Sequence, residues 1–197
     1  MSLSNIKFFI VDKQRDVINA LETHFSDLKN VEIIRGDLES IKTVDCIVAG
    51  HNSYGLMDNG VDKKINLLLN NIQPRIKFMI ESTYTGELPV GNCIILKTNN
   101  QNYKYLAYCP TMRLQKDVSN THNAYIAFRA LLTAILNYNK LNEEKINSVL
   151  CTGFCTGHGK MDADKAGKQM RLAYSFVNIN MNCSLENAKI IDKLLGN

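Results

Sequence analysis

The chain contains no tryptophan and only three prolines in 197 residues. No apolar run approaches the roughly 18 residues that a membrane-spanning helix needs. The opening stretch, MSLSNIKFFIVDKQRD, lacks the basic-then-long-apolar layout of a secretory leader. An intracellular, cytoplasmic protein without a membrane partner is the expectation. There is also no C-x-x-C pair among the six cysteines at 46, 93, 109, 151, 155 and 183. Cys46, Cys93, Cys109 and Cys151 sit in apolar, strand-like runs, so they read as reduced, buried thiols rather than a disulfide framework. Charge is sparse in another sense. The net charge is +4 and no basic run or basic helix face stands out, which does not favour a nucleic-acid surface.

What is present is an ordinary globular composition, 45% hydrophobic and 21% charged. The length suits a single domain over residues 1–197. Apolar runs alternate with helical patterns from end to end. "IKFFIV" (Ile6–Val11), "VEIIR" (Val31–Arg35), "VDCIVA" (Val44–Ala49) and "INSVLCT" (Ile146–Thr152) read as strands. "CIILKT" and "YKYLAYC" flank the turn "NNQN" and read as a hairpin. Helical spacing follows the first strand, opens again after Gly60 and at Pro74, runs longest over residues 121–139, and returns after "GFCTGHGKMD". A last amphipathic segment covers Ser184–Leu195. This alternation predicts an α/β fold, a three-layer α/β/α sandwich whose hairpin makes the central sheet mixed.

Two of these strands run into glycine-rich loops that precede helices. "GHNSYGLMDNG" follows Val44–Ala49, and "GFCTGHG" follows Ile146–Thr152. Such loops let backbone N–H groups approach an anion, and a helix N-terminus adds a positive dipole end. In α/β sheets the ligand crevice lies beyond the carboxyl ends of the strands. Two loops placed alike there could clamp a diphosphate. Neither is a Walker A loop or a G-x-G-x-x-G dinucleotide turn.

The order of segments resembles the macro domain family, the ADP-ribose-binding fold. Gly36-Asp37-Leu38 is similar to the family's Gly-Asp-Ile/Leu. Asp45-Cys46-Ile47-Val48-Ala49-Gly50-His51-Asn52-Ser53 is similar to its Asp-Ala-Ile-Val-Asn-Ala-Ala-Asn-Ser. Gly60-Val61-Asp62 and Ile65-Asn66 follow in order. "GELPVGNCIILKT" with "YLAYCPT", and then "VLCTGFCTGHG", resemble the strand pair and the pyrophosphate loop. The resemblance covers roughly residues 31 to 175. The chain departs from the pattern in several places. Leu56-Met57-Asp58-Asn59-Gly60 replaces the family's run of glycines, as in a divergent microbial or viral subtype, and Asn66 stands where a His often follows Ile. The second loop reads one residue longer. No segment matches the C-terminal strand that carries the family's adenine-stacking aromatic.

The resemblance implies roles. Asp37 would accept from the adenine amino group; its other reading is an N-cap for a short helix at Leu38–Ile41. Asn52 would hold the hydroxyls of the distal ribose, against the alternative of bonding its own turn. Asp62 would orient or activate a water, although an acid is favoured in a first helical turn without any function. Asn66, one turn on, faces the same way. Asn52, Asp62 and Asn66 are thus the catalytic candidates. Leu38, Ser53, Asn59, Gly60 and Val61 complete the ligand side of the first loop. Gly153, Phe154, Cys155, Thr156, Gly157, His158 and Gly159 would wrap the pyrophosphate, with Phe154 on a ribose face. Cys151, Cys155 and His158 lack a fourth ligand for zinc, so no metal is expected, and no cofactor.

Three functions compete. A macro-type domain could bind ADP-ribose and hydrolyse a bond at its distal ribose, acting on ADP-ribosylated protein, O-acyl-ADP-ribose or ADP-ribose-1″-phosphate. It could be a reader that binds without turnover. Or it could bind another phosphate ligand. No Ser-His-Asp or Cys-His nucleophile set is evident, which disfavours a covalent route. Oligomeric state is not legible.

Overall fold

A computed structural model describes residues 2–179 and 182–196. Its strands are β1 (Lys7–Asp12), β2 (Val31–Arg35), β3 (Val44–Ala49), β4 (Ile94–Lys97), β5 (Tyr103–Tyr108) and β6 (Ser148–Cys151). The helices are α1 (Arg15–Phe25), α2 (Gly60–Leu68), α3 (Gln73–Tyr84), α4 (Asn123–Leu141), α5 (Ala163–Asn178) and α6 (Leu185–Leu195). The strands form one sheet in the order β2-β1-β6-β3-β5-β4, parallel except for the edge strand β4, which runs antiparallel to β5.

The central strands are apolar on both faces because both faces are covered, as parallel sheets require. Along β3, Cys46 and Val48 face the layer built by α1, α4 and α5, while Ile47 and Ala49 face α2 and α3. β5 and β6 divide in the same way: Tyr105, Ala107, Val149 and Cys151 join the first core, and Leu106, Tyr108 and Leu150 the second. This is the three-layer mixed α/β sandwich that the alternation predicts. Pro74 lies in the first turn of α3, where its missing N–H would have no helical partner anyway. In the hairpin turn, the Asn100 side chain accepts from the Asn102 N–H at 2.8 Å.

One feature of the sheet could not be matched in the sequence. The position between β2 and β6 is taken by β1, the first strand in the chain. After β6 come two helices and, among the described residues, no further strand. No helix among the described residues is long and apolar enough to cross a membrane.

The parallel strands end at one edge, and their order there positions the site. Asp37 follows β2, Asp12 ends β1 with Lys13 just after it, Gly153 follows β6, Gly50 follows β3, and Cys109 follows β5.

Candidate functional site

Gly50 brings two of these strand ends together. It has φ +138°, and a Cβ there would lie 2.3 Å from the Cys109 carbonyl oxygen. Only glycine permits this approach of the β3 loop to the end of β5. Beyond Gly50 the loop is organised by its own side chains. The Asn52 carbonyl oxygen accepts from the N–H groups of Tyr54 (3.0 Å) and Leu56 (3.1 Å), and its amide donates to the Leu56 carbonyl. The Asn52 amide is therefore spent on its own turn, the arrangement that competes with ribose binding.

Asp62 is similarly engaged. It is buried in the first turn of α2, where Oδ1 accepts from Gly50 N–H at 3.2 Å and Oδ2 from His51 N–H at 2.9 Å. The His51 ring completes the set, with Nδ1 2.7 Å from Oδ1. Those atoms are close but not aligned as a straight hydrogen bond, so the contact is an ion pair. Burial disfavours a charged imidazole, yet the Asp62 carboxylate outweighs that and lifts His51 above the ordinary histidine value. The sequence pattern left His51 without a role. Its link to Asp62 spans 11 residues and arises only from the docking of α2 under the loop.

Asn66 is placed differently from expectation. Its carbonyl oxygen accepts from Gln73 N–H at 2.9 Å and its amide donates to Asn71. It organises the α2–α3 connection and does not line the cleft. One helical turn from Asp62 puts it on the same helix face, but the α2–α3 turn captures it.

The principal cleft has a volume of about 810 Å³. From the first loop it is lined by His51, Asn52, Asn59, Gly60, Val61 and Asp62, and across from them stand Gly157, His158 and Lys160. A narrow throat of about 30 Å³ continues it between Gly50 and His51 on one side and Gly153, Phe154 and Cys155 on the other. The two glycine-rich loops thus face each other. A Cβ placed on Gly60 would lie 3.8 Å from the His158 ring.

A third wall was not anticipated: Met112, Leu114, Gln115, Lys116 and Asp117, from the loop after β5, line the cleft. That loop is tied down at both ends. Gly159 accepts from Val118 N–H at 2.9 Å, and Arg113 forms a two-pronged ion pair with Glu87, which also accepts from the Tyr54 hydroxyl. A stretch of mixed charge after a buried strand was the available signal.

The remaining expected residues separate by location. Ser53 is fully buried beneath the loop, its N–H donating to the Arg113 carbonyl. Leu38 is in the core between the sheet and α2–α3. Phe154 belongs to the core on the other face, its ring set edge-on to Phe128 at 5.3 Å between centroids. A packed ring at only 5% exposure has no free face for a ribose. Cys155 is buried too, with its thiol pushed up to about 12 by desolvation. Thr156 donates back to the Gly153 carbonyl. Gly159 is confined by its neighbours, since a Cβ would meet the Cys155 carbonyl at 2.6 Å.

Asp37 caps the short turn Leu38–Ser40 through Leu38 N–H. Lys13 (2.7 Å) and Lys64 flank it and hold its carboxyl down at about 2. One oxygen still has a lone pair to offer a ligand.

The backbone donors show what the cleft can hold. Among the described residues, no protein acceptor faces the N–H groups of residues 58–62 or 153–159. Gly60, Val61 and Asp62 form the open first turn of α2, and its N-cap, Asn59, makes no side-chain cap. α5 differs: Asp162 already caps it through Lys165 N–H, and it begins ten residues past Gly153. Of these two helices, α2 is the one whose first turn lines the cleft. No group of three or more His, Cys, Asp or Glu side chains among the described residues is set to hold a metal.

Fold and site together define a mixed α/β sandwich with a cleft between two glycine-rich loops at one sheet edge. The macro domain family model matches residues 48–170, more than half of the chain, and the chain belongs to that family. No curated protein matches the sequence. Among solved structures, the macrodomain of Mycobacterium tuberculosis DarG is similar at TM-score 0.59 and 18% identity, covering 73% of this chain and 88% of that one. A mutant of the Oceanobacillus iheyensis macrodomain with ADPR is similar at TM-score 0.59 and 17% identity, covering 81% and 88%. Thermosipho africanus DarTG in complex with ADP-ribose is similar at TM-score 0.56 and 14% identity, covering 97% of this chain and 57% of that one.

Proposed function

We propose that this domain binds ADP-ribose, or a derivative joined through its distal ribose, and hydrolyses a bond at that ribose. The observation that carries the reading is that, among the described residues, the N–H groups of residues 58–62 and 153–159 have no protein acceptor, in the two loops that line the cleft and its throat. A diphosphate supplies the acceptors such rows lack. The similar Oceanobacillus iheyensis macrodomain and Thermosipho africanus DarTG are described with ADPR and ADP-ribose. Asp37, at the far end of the strand-end row, suits the adenine amino group, and the cleft at His51–Asp62 suits the distal ribose. Asn52 shapes that cleft through its loop, and Asp62 acts from beneath it. Asn66 stands outside the cleft and takes no part in this reading.

Calorimetry with ADP-ribose against ATP and NAD tests it. Gly157 offers an unusually clean variant, because it lines the cleft and a Cβ there meets nothing within 4 Å. Gly157→Glu should fold normally and weaken ADP-ribose binding by about tenfold or more through like-charge repulsion. Equal affinity in the variant, or no heat with any adenine nucleotide, contradicts the assignment. A reader that binds without turnover is the second reading, favoured by the engagement of Asn52 and Asp62 within the protein. Release of ADP-ribose from a modified protein separates the two.

A further inference from the structure

Resting on that reading, we propose that His51 is the acid–base group of the cleft, oriented by Asp62, and that it serves substrates whose ADP-ribose is linked to an alcohol oxygen. His51 lines both the 810 Å³ cleft and the throat between the loops. Its Nδ1 is buried against the Asp62 carboxylate, which leaves Nε2 as the nitrogen available to a ligand. Asp62 is anchored in turn by the Gly50 and His51 N–H groups, so the carboxylate is tied to the loop that carries the ring. A carboxylate that fixes one ring nitrogen and stabilises the imidazolium is the arrangement general acid–base chemistry uses. His158 also lines the cleft, and among the described residues no carboxylate pairs with it.

The link to substrate class is chemical. A carboxylate released from an acyl ester departs as a weak base and gains little from a donor above the ordinary histidine value. An alkoxide is a strong base and needs the proton as it leaves. In the proposed step a water oxygen bonds to C1″ of the distal ribose as the C1″–O bond breaks. The electron pair of that bond goes to the departing oxygen, which takes the proton from Nε2. The water's surplus proton then returns to the neutral imidazole. One water is consumed, ADP-ribose and an alcohol are released, and His51 is regenerated.

Activity should be high at low pH and fall as pH rises through the elevated His51 value, because the protonated ring is the working form. The charged and titratable groups around it are Asp62 from α2, Asp58 before that helix, Lys116 and Asp117 after β5, and His158 and Lys160 after β6. Asp62 is in direct contact, so Asp62→Asn should move the falling limb to lower pH.

The test uses the intact chain with two probes, a peptide carrying ADP-ribose on a serine hydroxyl and one carrying it on a glutamate carboxyl. His51→Gln should lose roughly 100-fold or more in kcat on the serine-linked peptide, with ADP-ribose affinity within about threefold. The falling pH limb should vanish with it. His51→Ala should regain serine-linked turnover with added imidazole, which separates a chemical role from a structural one. Unchanged kcat and pH profile in His51→Gln, or turnover confined to the glutamate-linked peptide, overturns the proposal. So does an absence of turnover on both peptides while ADP-ribose binds, a result that leaves the binding reading intact. Failure of ADP-ribose to bind the unmodified protein removes the reading on which the proposal rests.

Discussion

Asn52 holds a cleft-lining loop in shape by bonding its own turn. Its amide replaces three hydrogen bonds that the tight turn 52–56 cannot make for itself. Asn52→Ala should cost about 1–2 kcal/mol in chemical denaturation, because three part-buried hydrogen bonds of the turn are lost. It should also weaken ADP-ribose binding by disordering the loop. Stability within about 0.5 kcal/mol of the parent would show that the turn holds without it. At this scale the sequence was half legible. An Asn bonding its own turn is a local property, readable from "NSYGL". The His51–Asp62 pair is not, because its partners are separated by a loop and meet only through the packing of α2. Phe154 shows the converse failure, since a loop aromatic looks free until Phe128, on another helix, claims its ring.

Among elements, the decisive feature is the crossing of the β3 and β5 ends at Gly50. Any side chain there meets the Cys109 backbone, not the far end of a flexible group, so the strand ends must separate. Gly50→Ala should destabilise by about 1–3 kcal/mol from the backbone conformation alone, with the steric clash added. Because Gly50 N–H also holds Asp62, the same variant should release the His51 ion pair, visible as a lowered His51 titration by NMR. A variant with unchanged stability and an unchanged His51 titration contradicts this account of the junction. Element type was largely readable from period and length, since apolar runs of four to six residues between helical patterns have few alternatives. The wall formed after β5 was not, as its shape comes from tertiary ties at Glu87 and Gly159 rather than from a local pattern.

At the level of the whole molecule, strand order decides which loops share the cleft edge. Carrying β1 between β2 and β6 lines up Asp37, Lys13, Gly153, Gly50 and the β5 loop along one edge. In the proposed reading that row runs from the Asp37 carboxylate for the base, through amides without a protein acceptor for the diphosphate, to His51 for the sugar linkage. Topology of this kind is invisible to periodicity, which names strands but not their neighbours, so the strand order was not legible in the sequence. The backbone amides of residues 58–62 and 153–159 are the centre of the account, and ¹⁵N-resolved NMR reads them one by one. Titration with ADP-ribose should shift those two rows together, well beyond the amides of α4 and α6. Shifts confined to other surfaces, or to one row alone, would contradict it.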